Sequence, residues 1–490
     1  MKNFGHFDLI TIGSGPAGQK AALQAAKAGF KSAIIERRPS VGGVSLHSGT
    51  IPSKTMRSAI IYLTGTLQKV FYGDSFKARD SVSLKDITYR IKHVLDEEVE
   101  VLNSQLSRND IEVIHGQASF LNKNTLEIST KKDGVIGTVT ADKIVIATGS
   151  LPRRPETIPF DYQTILDGNL FFSSKNKLDH IPKSVTIMGA GVIGLEYACM
   201  FLALGCEVTI INQREEFLGF VDKELLMLFK HYMEKIGAEF VLGHNIEEVF
   251  VNEDGFGQVN LEDHDPVINE VVLYTMGRTP CTRALKLENL GIEVTDRGNI
   301  VVTDDYQTNI DNIYAAGDII GFPALASTSA EQGRIAACHA LGLSWTDYRT
   351  SFPYGIYTIP AMSMCGKTEE ELIAESVPYA KGISLYCEIA KAAMRGDETG
   401  ALKILFHKET KKILGVHVIG DQAAEIIHIG QAVMTLNGTI DYFVNTVFNY
   451  PTYAEAYKVA AFNGINSLTG NASISSMFSC EKGYMCETDI

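Results

Sequence analysis

The stretch "FDLITIGSGPAGQKAALQAAKAGFKSAIIE", Phe7 to Glu36, decides the fold. An apolar, β-branched run leads into G-x-G-x-x-G, then an Ala-rich segment closed by Gly29, then a second β-branched run. The hydrophobic period changes from strand to helix and back, which predicts a βαβ unit. Gly13 suits the tight turn, Gly15 lets backbone approach a pyrophosphate, and Gly18 lets helix and strand pack closely. The helix start then offers unpaired N–H groups and a positive dipole end to phosphate. A second copy, "SVTIMGAGVIGLEYACMFLALGCEVTIIN" from Ser184 to Asn212, repeats the order with Gly189, Gly191 and Gly194. One glycine turn alone is a weak signal. Two in full strand–turn–helix–strand context predict two Rossmann-like dinucleotide-binding folds in an α/β chain.

The two units end differently. Glu36 closes the second strand of the first unit, eighteen residues beyond Gly18, where an acid suits the hydroxyls of an adenosine ribose. The second unit has Asn212 there, followed by Gln213 and Arg214. An acid would repel a 2′-phosphate, whereas Asn is neutral and Arg pairs with phosphate bidentately. The second site is therefore expected to accept NADP(H) without excluding NAD(H).

At 490 residues the chain has room for about three domains. Its net charge of −14 carries no basic cluster beyond pairs such as Arg37-Arg38, so nucleic acid is not an expected partner. The first residues show no signal-peptide pattern, and no apolar run approaches the roughly 20 residues that span a bilayer. The chain reads as cytoplasmic, without a membrane partner. Its eight cysteines show neither C-x-x-C pairs nor a Cys/His cluster. Neither a metal site nor a disulfide framework is expected, and the thiols read as small buried hydrophobes of a reduced protein.

Between the two units lie a helical region from about Ser81 to Arg108 and short alternating strands up to "ADKIVIATGS" at 141–150. "NIYAAGDIIG" at 312–321 is another strand-to-turn passage. From about Ser351 the pattern changes to "ALKILFHKETKKILGVHVIG" strands and "AAEIIHIGQAVMTL" helix, a separate lobe. The Ser/Gly-rich end, "GNASISSMFSCEKGYMCETDI", reads as a tail.

A further stretch, "VSLHSGTIPSKT" from Val44 to Thr55, carries a family likeness. Together with "INQREEFLGFVDKE" (211–224), "GRTP" (277–280), "PYGIYTIPAMSMCGKTEEEL" (353–372) and "AAEIIHIGQAV…YFVNTVFNYPTYAEAYKVAAFNGIN" (423–466), it makes the chain similar to the FAD-dependent pyridine nucleotide-disulfide oxidoreductases. Within them it resembles the soluble pyridine nucleotide transhydrogenase subgroup. The resemblance implies an FAD domain from residues 1–150 and 276–350, an NAD(P) domain at 151–275, a C-terminal α+β dimerisation domain at 351–470, and a flexible tail at 471–490. A homodimer, or a higher homo-oligomer, is implied with it.

The same likeness assigns residues. Glu36 would bind the FAD ribose, and Gly116 and Ala118 would meet the adenine through backbone. Gly43, Val44, Ser45, Thr148 and Gly149 would border the FAD, with Asp318 on its ribityl or pyrophosphate region. The helix after Leu325-Ala326 would point its dipole at the flavin pyrimidine edge. Lys54 would lie near flavin N5, pair with Glu196, and favour a negatively charged reduced flavin. Gly277 and Arg278 count among the cofactor-binding residues. No metal is implied.

Departures from the family pattern carry the functional expectation. The segment that reads G-G-x-C-x-x-x-x-C-I-P-S-K in dithiol-active members holds Ser45 and Thr50 at the cysteine positions. Thiol–disulfide exchange needs a thiolate, which a hydroxyl cannot replace. The family's His-Pro is Tyr450-Pro451 here, and Tyr is a poor base at neutral pH. Glu455 has a structural reading as well, since Thr452-x-x-Glu455 fits a capping box. With the thiol face inert, electrons are expected to enter and leave by nicotinamide, as a ping-pong NAD(H)/NADP(H) transhydrogenase using FAD. Three alternatives stand beside it: a diaphorase or quinone reductase at the same flavin, a flavin-bound redox sensor, and a tail dithiol of Cys480 and Cys486.

Overall fold

The computed structural model describes residues 2–66, 72, 82–173, 175–346, 352–397, 399–470 and 477. Two sheets carry the glycine turns, and a third forms the C-terminal lobe. The first is seven-stranded: six run in the order Glu112–His115, Ser32–Glu36, Lys2–Ile12, Gly134–Ile146, Thr125–Thr130, Gln117–Asn122, and the seventh, Ile313–Ala315, pairs with Gly134–Ile146 off that path. Its long Gly134–Ile146 strand does two jobs. The first half pairs antiparallel with Thr125–Thr130, while Ile144–Ile146 pairs parallel with the distant Ile313–Ala315. Parallel pairing buries both faces, which is why Ser32–Glu36 reads as a continuous run and is buried throughout.

The second sheet is five-stranded and parallel: Ala238–Leu242, Glu207–Asn212, Ser184–Met188, Val271–Tyr274 and Ile165–Asp167. It falls in sequence between the parts of the first sheet. An antiparallel pair, Ser150–Pro152 with Arg278–Pro280, joins the two crossings of the chain. The third sheet is five-stranded and antiparallel, with the helices Ala423–Thr435 and Glu455–Leu468 beside it. The architecture is the expected α/β one with a C-terminal α+β lobe.

Local packing explains the small residues. The Pro16–Lys27 helix has Pro in its first turn and buries Ala17, Ala21, Ala22 and Ala25. That flat face admits the Ala326–Ala340 helix so closely that a Cβ on Gly333 would lie 2.0 Å from the Ala17 carbonyl oxygen.

The helical region expected near Ser81–Arg108 is one helix, Leu84–Ser107, opened by a capping box of Ser83 and Asp86. Two expectations are corrected. The box expected at Thr452 and Glu455 does not form. The last helix starts at Glu455 without a side-chain cap, and the Thr452 hydroxyl donates to the Asn449 carbonyl at 2.7 Å. The local backbone pairing outcompetes the cap. The thiols are not all reduced either: Cys387 is disulfide-bonded, while Cys199, Cys206, Cys281 and Cys338 are free. The tail expected at 471–490, with Cys480 and Cys486, lies outside the described residues except Met477, which is buried and donates its N–H to Glu224 at 2.7 Å.

Candidate functional site

The first glycine turn sits where Lys2–Ile12 ends. Gly13 adopts φ +106°, and a Cβ on Gly18 would lie 1.9 Å from the Gly13 carbonyl oxygen. Glu36, buried at the end of its strand, holds the turn: its carboxylate accepts from the Ser14 N–H at 3.1 Å and hydroxyl at 2.5 Å, and from the Arg38 N–H at 2.8 Å. Gly43 closes over it, since a Cβ there would be 2.7 Å from the Gly15 Cα. Gly116 donates its N–H to the Glu36 carbonyl at 2.9 Å, and Ala118 is buried on the next strand.

The second turn repeats this geometry. Gly189 lies at φ +104°, and a Cβ on Gly194 would be 2.0 Å from the Gly189 carbonyl oxygen. Asn212 takes the place of Glu36, accepting from the Ala190 N–H at 3.3 Å and donating to the Arg214 carbonyl at 2.7 Å. Arg214 is exposed, with Glu215 and Glu216 next to it in the loop.

These turns leave helix ends open. The helices at Gly15, Gly191 and Leu325 have no side-chain cap, whereas Asp222 and Thr368 cap theirs. A Cβ at Gly15 or Gly191 would meet no protein atom within 4 Å. Unpaired N–H groups facing open space suit the phosphates of two dinucleotides. The residues present fit FAD at the first turn and a nicotinamide nucleotide at the second.

Between the turns lies an ion pair. Lys54, on the Thr50–Thr64 helix, places Nζ 2.5 Å from Glu196, on the Val192–Ala203 helix of the second unit. Residues 142 positions apart are thus brought together. The other Glu196 oxygen accepts from the Tyr357 N–H at 2.9 Å, and the Lys54 ammonium sits 4.9 Å from the Tyr357 ring centroid. Arg57, one turn on, donates to the Thr358 carbonyl at 3.0 Å, and burial lowers its pKa from the ordinary value. Ser45 lies in the short Gly43–His47 helix and Thr50 begins the Lys54 helix. The free thiol on the Glu196 helix, Cys199, is fully buried, which pushes its pKa up to about 12. It is an inert thiol.

A third cluster binds the crossing strands. Ser150 donates to Asp318 at 2.7 Å and accepts from Arg278 at 2.8 Å, with Arg278 itself 3.8 Å from Asp318. Thr148 donates to the Cys281 carbonyl at 3.0 Å, and Gly149 accepts from the Cys281 N–H at 2.9 Å. Gly277 precedes Arg278 at φ +96°. Arg278 therefore lies with Ser150 and Asp318. Tyr357 and Arg57 carried no role in the sequence reading. Tyr357 stands inside "PYGIYTIPAMSMCGKTEEEL", and its contact with Glu196 is a backbone one that no side-chain pattern signals.

Comparison with known proteins agrees with this geometry. The Pyridine nucleotide-disulphide oxidoreductase family matches residues 7–333, and its dimerisation domain matches residues 352–461. The soluble pyridine nucleotide transhydrogenase of Mycobacterium bovis (strain BCG / Pasteur 1173P2) is 44% identical over 94% of this chain and 98% of its own. That of Aliivibrio fischeri is 45% identical over 94% of this chain and 98% of its own. Among solved structures, LpdA from Mycobacterium tuberculosis is similar with a TM-score of 0.84 at 26% identity, covering 93% of this chain and 99% of that one. The HOCl-induced flavoprotein disulfide reductase RclA from Escherichia coli gives 0.81 at 27% identity, with the same coverage of 93% and 99%.

Proposed function

The chain belongs to the pyridine nucleotide-disulphide oxidoreductase family, and from that premise we propose that it transfers hydride between NAD(H) and NADP(H) through bound FAD, in ping-pong order and without a redox disulfide. The observation that carries this reading is the Lys54–Glu196 pair, which ties the flavin-side helix to the nicotinamide-side helix. Serine and threonine stand at positions 45 and 50 in the stretch that leads to Lys54. The relatives named soluble pyridine nucleotide transhydrogenase support the same activity.

Bound FAD would supply the ring that takes hydride from one nicotinamide and gives it to the next. Lys54 would hold a positive charge near that ring, where negative charge develops on reduction. Glu196, fixed by Lys54 and the Tyr357 N–H, would hold Lys54 in place. Glu36 would take the FAD ribose, Asp318 the ribityl or pyrophosphate region, Gly116 and Ala118 the adenine, and Gly43, Val44, Ser45, Thr148 and Gly149 the remaining border. Asn212 and Arg214 would face the 2′ position of the nicotinamide nucleotide. The domain boundaries at 150, 275 and 350 follow from the same assignment. The dimerisation-domain match supports a homodimer, and the relatives' description as soluble supports a cytoplasmic location.

The test is a steady-state assay of NADPH with the thionicotinamide analogue of NAD⁺. Turnover with parallel lines in a double-reciprocal plot is expected. No analogue reduction beside rapid quinone reduction would overturn the proposal in favour of a quinone reductase.

A further inference from the structure

Lys54 and Arg57 stand one turn apart on the Thr50–Thr64 helix, so their side chains leave the same face. They meet two consecutive residues of the C-terminal lobe. The Lys54 ammonium sits 4.9 Å from the Tyr357 ring centroid, and the Arg57 Nε donates to the Thr358 carbonyl at 3.0 Å. The Tyr357 N–H donates to one oxygen of Glu196 at 2.9 Å, and Lys54 donates to the other at 2.5 Å. These contacts close a ring that runs from the helix through Glu196, Tyr357 and Thr358 back to the helix. Thr358 is fully buried, and its hydroxyl donates to the Pro360 carbonyl at 2.6 Å. Burial works against the Arg57 charge, while nearby groups, Glu196 and Asp421 among them, favour it. An apolar side chain would fill the same space without that desolvation cost.

We propose that Arg57 is a positioning residue for Lys54, and that its Nε donor rather than its charge carries the role. By holding the Thr358 carbonyl it fixes the Tyr357 N–H, which fixes the Glu196 carboxylate, which fixes the Lys54 ammonium. Each link is one hydrogen bond or ion pair, so removing the first frees the others to shift. Coulomb energy falls with distance, and a displaced Lys54 charge stabilises negative charge on the flavin less. The C-terminal lobe thereby sets how readily the flavin is reduced. This inference rests on the reading above that places Lys54 beside the flavin.

The test measures the equilibrium of two-electron flavin reduction in the FAD-loaded protein against a dye of known potential, which needs no turnover. Glutamine carries its amide nitrogen at the chain position of the arginine Nε, so Arg57→Gln keeps the donor and removes the charge. Arg57→Met places a methyl group there and removes both. Arg57→Met is expected to lower the equilibrium constant for reduction about three- to tenfold, and Arg57→Gln less than about twofold. In a Lys54→Met background, Arg57→Met is expected to add no further loss, because residues that act through one another are not additive. An Arg57→Gln loss as large as that of Arg57→Met would overturn the positioning role. So would additive losses in the double variant, or unchanged equilibria in both single variants. Should Arg57→Met fail to hold FAD, Arg57→Lys takes its place, since it keeps the charge and puts a carbon at the Nε position. A loss in Arg57→Lys with none in Arg57→Gln then supports the proposal, and any other pattern overturns it. A Lys54→Met protein with the wild-type equilibrium would instead overturn the reading that places Lys54 at the flavin.

Discussion

At the scale of the residue, the two units differ by one side chain at an equivalent place. Glu36 and Asn212 each accept from a backbone N–H of their glycine turn, Ser14 and Ala190 respectively. An acid therefore fits that position sterically, so Asn212→Glu isolates charge. We expect it to weaken NADP(H) binding by about 1–3 kcal/mol and leave NAD(H) nearly unchanged, because a carboxylate would face the 2′-phosphate. Parallel Kd measurements check this, and equal losses would show that the residue does not read the phosphate. Asp397 gives a second residue-level prediction. Burial first, and the Asp421 charge next, push its carboxyl up to about 6 from an ordinary 3.8, although it accepts from the Asp421 N–H at 2.7 Å. A raised acid pKa stabilises the fold when protonated. That contribution is fully present below the ordinary value and is lost as pH rises through about 6. Asp397→Asn should keep it at neutral pH, a gain of up to about 3 kcal/mol, and flatten the stability profile between pH 4 and 7. Denaturant midpoints across that range measure it, and an unchanged slope would refute it.

At the scale of the element, the Lys223–Lys235 helix is clasped to the C-terminal sheet. Lys403, fully buried on the Ala401–His407 strand, places Nζ 3.0 Å from Asp222, 3.0 Å from Glu224 and 2.5 Å from Glu369. Burial lowers the lysine pKa, but the attraction of Asp222, then of Glu224 and Glu369, outweighs it and the group stays charged. His417 nearby is kept neutral, since burial pulls its pKa below the usual value. Asp222 also caps the helix through the Leu225 N–H, so the clasp fixes the end of the loop that starts at Asn212. Lys403→Met should cost about 3–5 kcal/mol by stranding buried carboxylates. Adding Asp222→Asn should recover part of that loss. A single variant as stable as wild type in thermal unfolding would show that solvent reaches the cluster.

At the scale of the whole molecule, three sheets meet around one ion pair. Lys54 comes from the lobe of the first glycine turn, Glu196 from the lobe of the second, and Tyr357 from the C-terminal lobe. The arrangement suits a flavin reached from the nicotinamide side, with hydroxyls at positions 45 and 50. The purified protein is expected to be yellow, with about one non-covalent FAD per chain. On titration with NADPH it should bleach without a long-wavelength thiolate charge-transfer band, because no sulfur stands at position 50. It should be inert toward dihydrolipoamide, oxidised glutathione and mercuric ion. Absorbance spectra and these three assays check the claim, and robust disulfide turnover would overturn it.

The sequence by itself determined the two nucleotide-binding units, because a glycine turn between strand and helix is a local backbone requirement written in consecutive residues. It also determined the absence of sulfur at positions 45 and 50, and the family likeness placed Lys54 against Glu196. Tertiary structure alone decided the rest. The Tyr357 N–H on Glu196, the Arg278–Asp318 contact and the Lys403 clasp join residues far apart in the chain. Their energies depend on burial and on partners delivered by other sheets, and neither spacing nor composition encodes which strands will meet. The failed cap at Thr452 shows the same limit at short range: a local motif forms only where the packed backbone leaves its donor unclaimed.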